Sequence, residues 1–272
     1  MGLASVFADI APLYVGPSAE GMRSDEALYG MTVQVIKEEA DFSLVRTEYG
    51  TEGYTPTKLL GTNAEIATAW KKYKKKVVLA PYIDVQKAPA AAAQVLANVP
   101  RGGLLVALGA PNNSGWQKVG LPTGTTGYTR ASYLGEVILD WTQISPADMR
   151  WNLVETALAY NGTATRAGGR TPFGIDGVGL VAMSYLINGV VIGRESFVKP
   201  GSPLHTIPAS SMDEGDIIYF DTTAGMYMGD DRFVYVSETP GTEGVIVGSL
   251  NPQHDDYRAD LATQIAAVGS LF

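Results

Sequence analysis

The sequence predicts a multidomain chain: two small all-β modules followed by a larger α+β domain. Three observations carry this. At 272 residues the chain is longer than one hydrophobic core usually organises. Short β-branched runs separated by Gly turns occur twice in the first half. From about Trp151 helical spacing takes over and gives way to a strand meander, the order of an α+β domain. The expected boundaries are 1–60 for an N-terminal segment and first β module, 61–76 for a linker helix, 77–140 for the second β module and 141–272 for the last domain.

In the first module, residues 11–60, Thr32-Val33-Gln34-Val35-Ile36 and Ser43-Leu44-Val45-Arg46-Thr47 read as strands, with turns at Gly50 and Gly53. Residues 77–134 repeat the scheme: Leu104–Leu108, then Gly115-Trp116-Gln117-Lys118-Val119, then Gly127-Tyr128. This is an internal duplication in which Phe42 corresponds to Trp116 and Gly53-Tyr54 to Gly127-Tyr128. Between the copies, Asn63 is the expected N-cap of a helix reaching Trp70. The run Lys71-Lys72-Tyr73-Lys74-Lys75-Lys76 has two readings. It is a basic patch for an anionic polymer, or a solvated helix end whose lysines complement the helix dipole. The acidic character of the whole chain favours the second.

In the last domain Leu153, Val154, Ala157, Leu158 and Ala159 fall at helical spacing. A loop with Gly162, Gly168, Gly169 and Gly174 leads to an apolar helix over Val178–Asn188. Strands are expected at Asp216–Phe220, Gly225–Met228, Arg232–Ser237 and Gly244–Val247.

Composition bounds the function. An apolar fraction of 46% with 18% charged residues is that of a folded globular chain. Twenty basic and 28 acidic groups give a net charge of −8, which disfavours nucleic acid as a partner. The absence of cysteine excludes disulfides, thiolate metal sites and thiol catalysis together. No run approaches a membrane span. The opening Met1–Asp9 lacks a basic region and a long apolar core, so no leader is expected in it. The compartment stays open between the bacterial cytoplasm and a cell envelope reached after loss of a leader.

The segment Gly174-Ile175-Asp176-Gly177-Val178-Gly179-Leu180 resembles the Gly-Ile-Asp-Cys-Ser-Gly-Leu signature of the NlpC/P60 cell-wall peptidases. Gly168–Pro172, Asn188-Gly189-Val190, Arg194-Glu195-Ser196, Gly215–Phe220 and Gly225–Asp230 are similar to further elements of that family. The two β modules resemble bacterial SH3 (SH3b) domains, through Asp25–Gly30 in the first and Val99–Gly103 in the second. The resemblance implies two SH3b barrels followed by an α+β papain-like domain, in the group that includes γ-D-glutamyl dipeptidyl peptidases. It implies a cysteine peptidase cleaving γ-D-Glu-linked peptides of peptidoglycan.

That chemistry needs a thiol at a helix N-terminus, a histidine base and a third group to orient it. The three positions carry Gly177, Thr223 and Tyr235 here. Thr165 and Ala167 replace aromatic residues that line the family's substrate groove, and Val178 replaces a serine. The coordinated loss reads as a pseudoenzyme, with no catalytic residues. The substrate-binding candidates are Asp176, Thr165 and Tyr227, and Asp176 is implied to meet a free amine. Asp176 also reads as the N-cap of the following helix. A glycine at 177 leaves helix N–H groups for a carboxylate or phosphate. Tyr235 is expected to fill the emptied cleft with its hydroxyl hydrogen-bonded. His205 and His254 fall in loop-like sequence away from the base position.

No cofactor or metal is expected, since no metal-spaced His pair, nucleophile elbow or phosphate loop is present. Three readings stand. The first is a non-catalytic protein binding muropeptide, peptidoglycan fragments or a protein partner. The second is an active cell-wall peptide hydrolase with a relocated, non-cysteine site. The third is a structural module of a cell-envelope assembly.

Overall fold

The computed structural model describes residues 2–272; Met1, which opens the stretch read for a leader, lies outside them. The chain divides into two compact units, one reaching to Val137 and one spanning Ile138–Phe272.

The first unit holds two seven-stranded antiparallel sheets. The first is built from β1 (Leu3–Val6), β2 (Ile10–Tyr14), β3 (Arg23–Leu28), β4 (Thr32–Glu39), β5 (Phe42–Thr47), β6 (Glu52–Pro56) and β7 (Leu60–Gly61). The second uses β8 (Lys76–Val78), β9 (Tyr82–Gln86), β10 (Val95–Pro100), β11 (Leu104–Ala107), β12 (Trp116–Gly120), β13 (Thr126–Arg130) and β14 (Leu134–Glu136). The strand orders are β3-β2-β6-β5-β4-β1-β7 and β10-β9-β13-β12-β11-β8-β14. Adding seven to each number of the first order reproduces the second. The duplication read from Phe42/Trp116 and Gly53/Gly127 is therefore present in topology: Phe42 and Trp116 each open the fifth strand of their copy.

Both sheets are open as paired, whereas closed barrels were expected. The last strands, β7 and β14, are two and three residues long. Each pairs with the first strand of its copy, and no ladder joins it to the opposite edge, β3 or β10. Closure needs a continuous ladder with matched stagger, and strands this short supply few bonds for it.

The two sheets are fastened to each other within this unit. Tyr29, from the turn after β3, is buried in the core of the second sheet with Val78, Ile83, Val85, Leu105 and Val119. Leu104 N–H donates to the Tyr29 carbonyl at 2.8 Å. Gly30 has φ +77°, and a Cβ there would lie 2.1 Å from the Leu104 carbonyl oxygen, so this crossing admits glycine alone. Helix α1 (Ala64–Lys72) closes the joint: its Trp70 Nε1–H donates to the Gly30 carbonyl at 2.7 Å, buried. Trp70→Phe keeps a smaller aromatic ring and removes the donor to that carbonyl. It is expected to lower the unit's stability by about 1–3 kcal/mol in urea denaturation. An unchanged midpoint would assign the bond no role in holding the joint.

Asn63 caps α1, accepting from Glu65 N–H and Ile66 N–H at 3.0 and 3.1 Å. The lysine run behind it is engaged locally. Lys71 pairs with Glu48 at 2.8 Å, and Lys74 and Lys76 pair with Glu136. Lys75 donates to the carbonyls of Trp70 and Tyr73 at the helix end, and desolvation pulls its pKa down to about 8. This is the helix-end arrangement.

The second unit is α+β. Helix α2 (Pro146–Leu158) is capped by Ser145, whose Oγ accepts from Asp148 N–H, and buries Met149, Leu153, Val154 and Ala157. After a Gly-rich loop and the two-residue strands β15 (Arg170–Thr171) and β16 (Gly174–Ile175) comes helix α3 (Gly177–Ile187). Nine of its eleven residues are buried, as an apolar helix between α2 and a sheet requires. The sheet comprises β17 (His205–Ile207), β18 (Ile217–Phe220), β19 (Ala224–Tyr227), β20 (Arg232–Ser237), β21 (Gly244–Ser249) and β22 (Ile265–Ser270). Its order is β17-β22-β18-β19-β20-β21, all antiparallel. Alternation sorts the strands: Phe233 and Tyr235 join Ile218 and Phe220 in one core cluster with Leu261, from the short helix α4 (Ala259–Ala262). Among the described residues no helix is long and apolar enough to cross a membrane.

Candidate functional site

The site is the N-terminus of α3 where it meets the start of β19. Asp176 is the N-cap residue in extended conformation, and its Oδ1 accepts from Gly179 N–H at 2.7 Å. Its Oδ2 accepts from Gly168 N–H at 2.7 Å, which ties the Gly-rich loop to the helix end. The Arg194 guanidinium donates to both oxygens, at 2.6 and 2.5 Å, and also reaches the Gly169 carbonyl at 3.2 Å. A carboxylate offers about four acceptor directions. All four are taken by groups of this chain.

Gly177, the first residue of α3, is buried. A Cβ built on it would lie 2.2 Å from Thr223 Oγ1, 2.8 Å from the Ala224 carbonyl oxygen and 3.0 Å from Ala224 N. The helix end therefore rests directly on the strand, and the Thr223 hydroxyl occupies the place a side chain at 177 would fill. Thr223 is held there by the β18–β19 turn, where its carbonyl accepts from Phe220 N–H at 2.9 Å. The structure thus brings Gly177 and Thr223 together.

Tyr235 lies opposite Gly225 in the β19–β20 ladder. Its ring is 1% exposed, packs on Phe233 at 5.0 Å between centroids, and is covered by the Arg258 guanidinium at 5.1 Å. It fills space as expected. The expected hydrogen bond is absent: the buried hydroxyl has no partner among the described residues. Beside Thr223 and Tyr235 runs a groove of about 380 Å³, lined also by Thr222, Ser237, Arg258 and Gln264. Arg258 and Gln264 carry no signal in the family motif and were not singled out in the sequence. Arg258 is also paired with Asp260, which holds the Asp260 carboxyl below its usual range.

Thr165 is half-buried in the Gly-rich loop, bridged through its backbone to Ile175. Tyr227 stands four residues along β19 from Thr223, about 13 Å at strand rise. Its hydroxyl accepts from Asp231 N–H at 3.2 Å in the β19–β20 turn. His205 is exposed on strand β17 instead of in a loop. His254 Nδ1 sits 2.8 Å from Ser249 Oγ, the one feature resembling a nucleophile and base. Ser249 is fully buried, and its Oγ also accepts from Asn251 N–H at 2.9 Å, so the pair braces a loop. Among the described residues no group of acidic or His side chains is placed to hold a metal.

A buried helix whose N-terminus abuts an antiparallel meander, with the motif Gly-Ile-Asp-x-x-Gly-Leu at the junction, defines the class: an α+β peptidase-type domain. The NlpC/P60 family model matches residues 162–260. Dipeptidyl-peptidase 6 of Lysinibacillus sphaericus is 38% identical over 272 residues, 99% of each chain. The crystal structure of an NlpC/P60 family protein from Bacillus cereus superposes with a TM-score of 0.78 at 19% identity, covering 98% of both chains. An NlpC/P60 endopeptidase from Photobacterium damselae gives 0.61 at 14% identity, covering 91% of this chain and 66% of that one. The chain belongs to the NlpC/P60 family.

Proposed function

We propose that this chain is a non-catalytic member of the NlpC/P60 family that binds a cell-wall peptide or glycan fragment. One observation carries the reading: at the nucleophile position stands Gly177, and the space for a nucleophile is filled by Thr223 Oγ1 and the β19 backbone. Neither Thr223 nor Tyr235 can act as the base, and no histidine lies at the helix end. The groove of about 380 Å³ beside Thr223 is the surviving place for a ligand. In this reading the two open sheets are SH3b modules, with the linker helix over 61–76 and the peptidase-like domain from 141.

A second reading, an active cell-wall peptide hydrolase of dipeptidyl-peptidase type with a relocated, non-cysteine site, is favoured by the name of the 38% identical relative. It has to find a nucleophile other than the buried Ser249. One assay separates the two. Incubated with a muropeptide bearing a free L-Ala-γ-D-Glu terminus, the purified chain is expected to release no dipeptide by mass spectrometry. Release that survives purification and is lost in Asp176→Ala or His205→Ala would replace the first reading by the second.

A further inference from the structure

A second cavity, of about 320 Å³, is lined by residues of the first unit. Its walls are apolar and aromatic: Phe7 and Tyr29 with Leu96 and Leu121. Its polar groups include several acceptors. Asp9 supplies a carboxylate whose Oδ1 accepts from Ile10 N–H at 2.9 Å and whose Oδ2 lies 3.4 Å from the Tyr82 hydroxyl. Two acceptor directions of that carboxylate are left for a ligand. Asn98 donates through Nδ2 to Asp84 Oδ1 at 2.6 Å, which fixes its amide and presents the carbonyl oxygen as an acceptor. The hydroxyls of Thr123 and Thr125, 2.8 Å apart, complete the rim. No Lys, Arg or His is among the residues lining the cavity, so its one formal charge is negative.

We propose that this cavity binds an alkylammonium group, with the cation at Asp9 and the Asn98 carbonyl and the aliphatic stem against Leu96 and Leu121. The chemistry selects that class. Aromatic faces and a carboxylate attract an organic cation. A bare divalent ion would need six or more oxygen ligands, and a single carboxylate with one amide oxygen and two hydroxyls on the rim falls short of that set. A carboxylate ligand would meet Asp9 with like charge, and an alcohol would leave that charge uncompensated.

The test is a titration of the full ¹⁵N-labelled chain with n-butylammonium chloride, followed by amide chemical shifts. Saturable shifts are expected near Asp9, Asn98 and Thr125. Butan-1-ol, sodium butanoate and calcium chloride at the same concentrations are expected to give none that saturate there. Asp9→Asn keeps the acceptor for Ile10 N–H and removes the charge. It is expected to weaken binding about tenfold, the size of one charge-assisted hydrogen bond. Phe7→Leu keeps the charge and removes one aromatic face, for a smaller loss of about threefold. The proposal is overturned if butylammonium gives no saturable shifts, if butanol or calcium reproduces them, or if Asp9→Asn binds as well as the parent chain. The spectrum of each variant reports its folding directly.

Discussion

Gly177→Cys is expected to destabilise the second unit by about 2 kcal/mol or more and to yield no peptidase activity. The cost comes from the β-carbon, before the thiol is considered. That atom would press on Thr223 Oγ1 at 2.2 Å and on the Ala224 carbonyl oxygen at 2.8 Å. Overpacking a well-filled site typically costs about 1–3 kcal/mol, and more where the neighbour is backbone that cannot rotate away. The gain in helix propensity over glycine, at most about 1 kcal/mol, offsets part of it. Two controls follow. Gly177→Ala should cost about as much as Gly177→Cys, since both add the same atom. Adding Thr223→Ala should recover only part of the loss, because the Ala224 contact remains. Urea midpoints measure all three. A Gly177→Cys chain as stable as the parent would show that helix and strand separate readily. Dipeptide release by it would show that the base lies somewhere other than Thr223.

The same contact explains how much of the site was legible in the sequence. The motif around Asp176 located the helix N-terminus to within one residue of Gly177, because a short polar cap before an apolar run is a local signal. The pairing of Gly177 with Thr223 followed from the family resemblance, whose base position precedes the segment Gly225-Met226-Tyr227. That Thr223 fills the space at 177 could not be read. It depends on how closely helix and strand approach, which is set by packing across the whole sheet.

Long-range contacts account for the other gaps. Strand β22 was missed because Ile265-Ala266-Ala267-Val268-Gly269-Ser270 is poor in β-branched residues. It forms by lying between β17 and β18, where partners on both sides override weak propensity. The start of α2 at Pro146 was missed because its apolar spacing becomes evident only from Leu153, although a proline at the first helical position needs no donor. The insertion of Tyr29 into the second sheet's core joins it to Val78 and residues further along the chain and leaves no periodic trace.

Asp176 provides the second large effect, and it bears on what the vestigial site can bind. The Arg194 side chain is 11% exposed and Asp176 24% exposed, so the pair is largely shielded from solvent. Asp176→Ala would take from the Arg194 guanidinium its carboxylate partner and leave Gly168 N–H and Gly179 N–H without their acceptor. Breaking one side of a buried pair typically costs about 3–5 kcal/mol. Arg194→Ala is expected to cost less, since the carboxylate keeps two N–H donors. The double variant should then be more stable than the sum of the singles predicts, with a coupling of about 1–3 kcal/mol. That coupling decides between two roles for Asp176. A carboxylate held for a ligand's ammonium would be nearly independent of Arg194 in the unliganded chain, and its removal would leave the urea midpoint close to the parent's. A large coupling means the amine would have to displace the guanidinium to bind. In that case Arg194→Ala should increase the affinity for an L-Ala-γ-D-Glu dipeptide, measured by calorimetry, while Asp176→Ala should abolish it. Equal affinities in all three chains would place the ligand away from Asp176 altogether, in the groove beside Thr223 and Arg258.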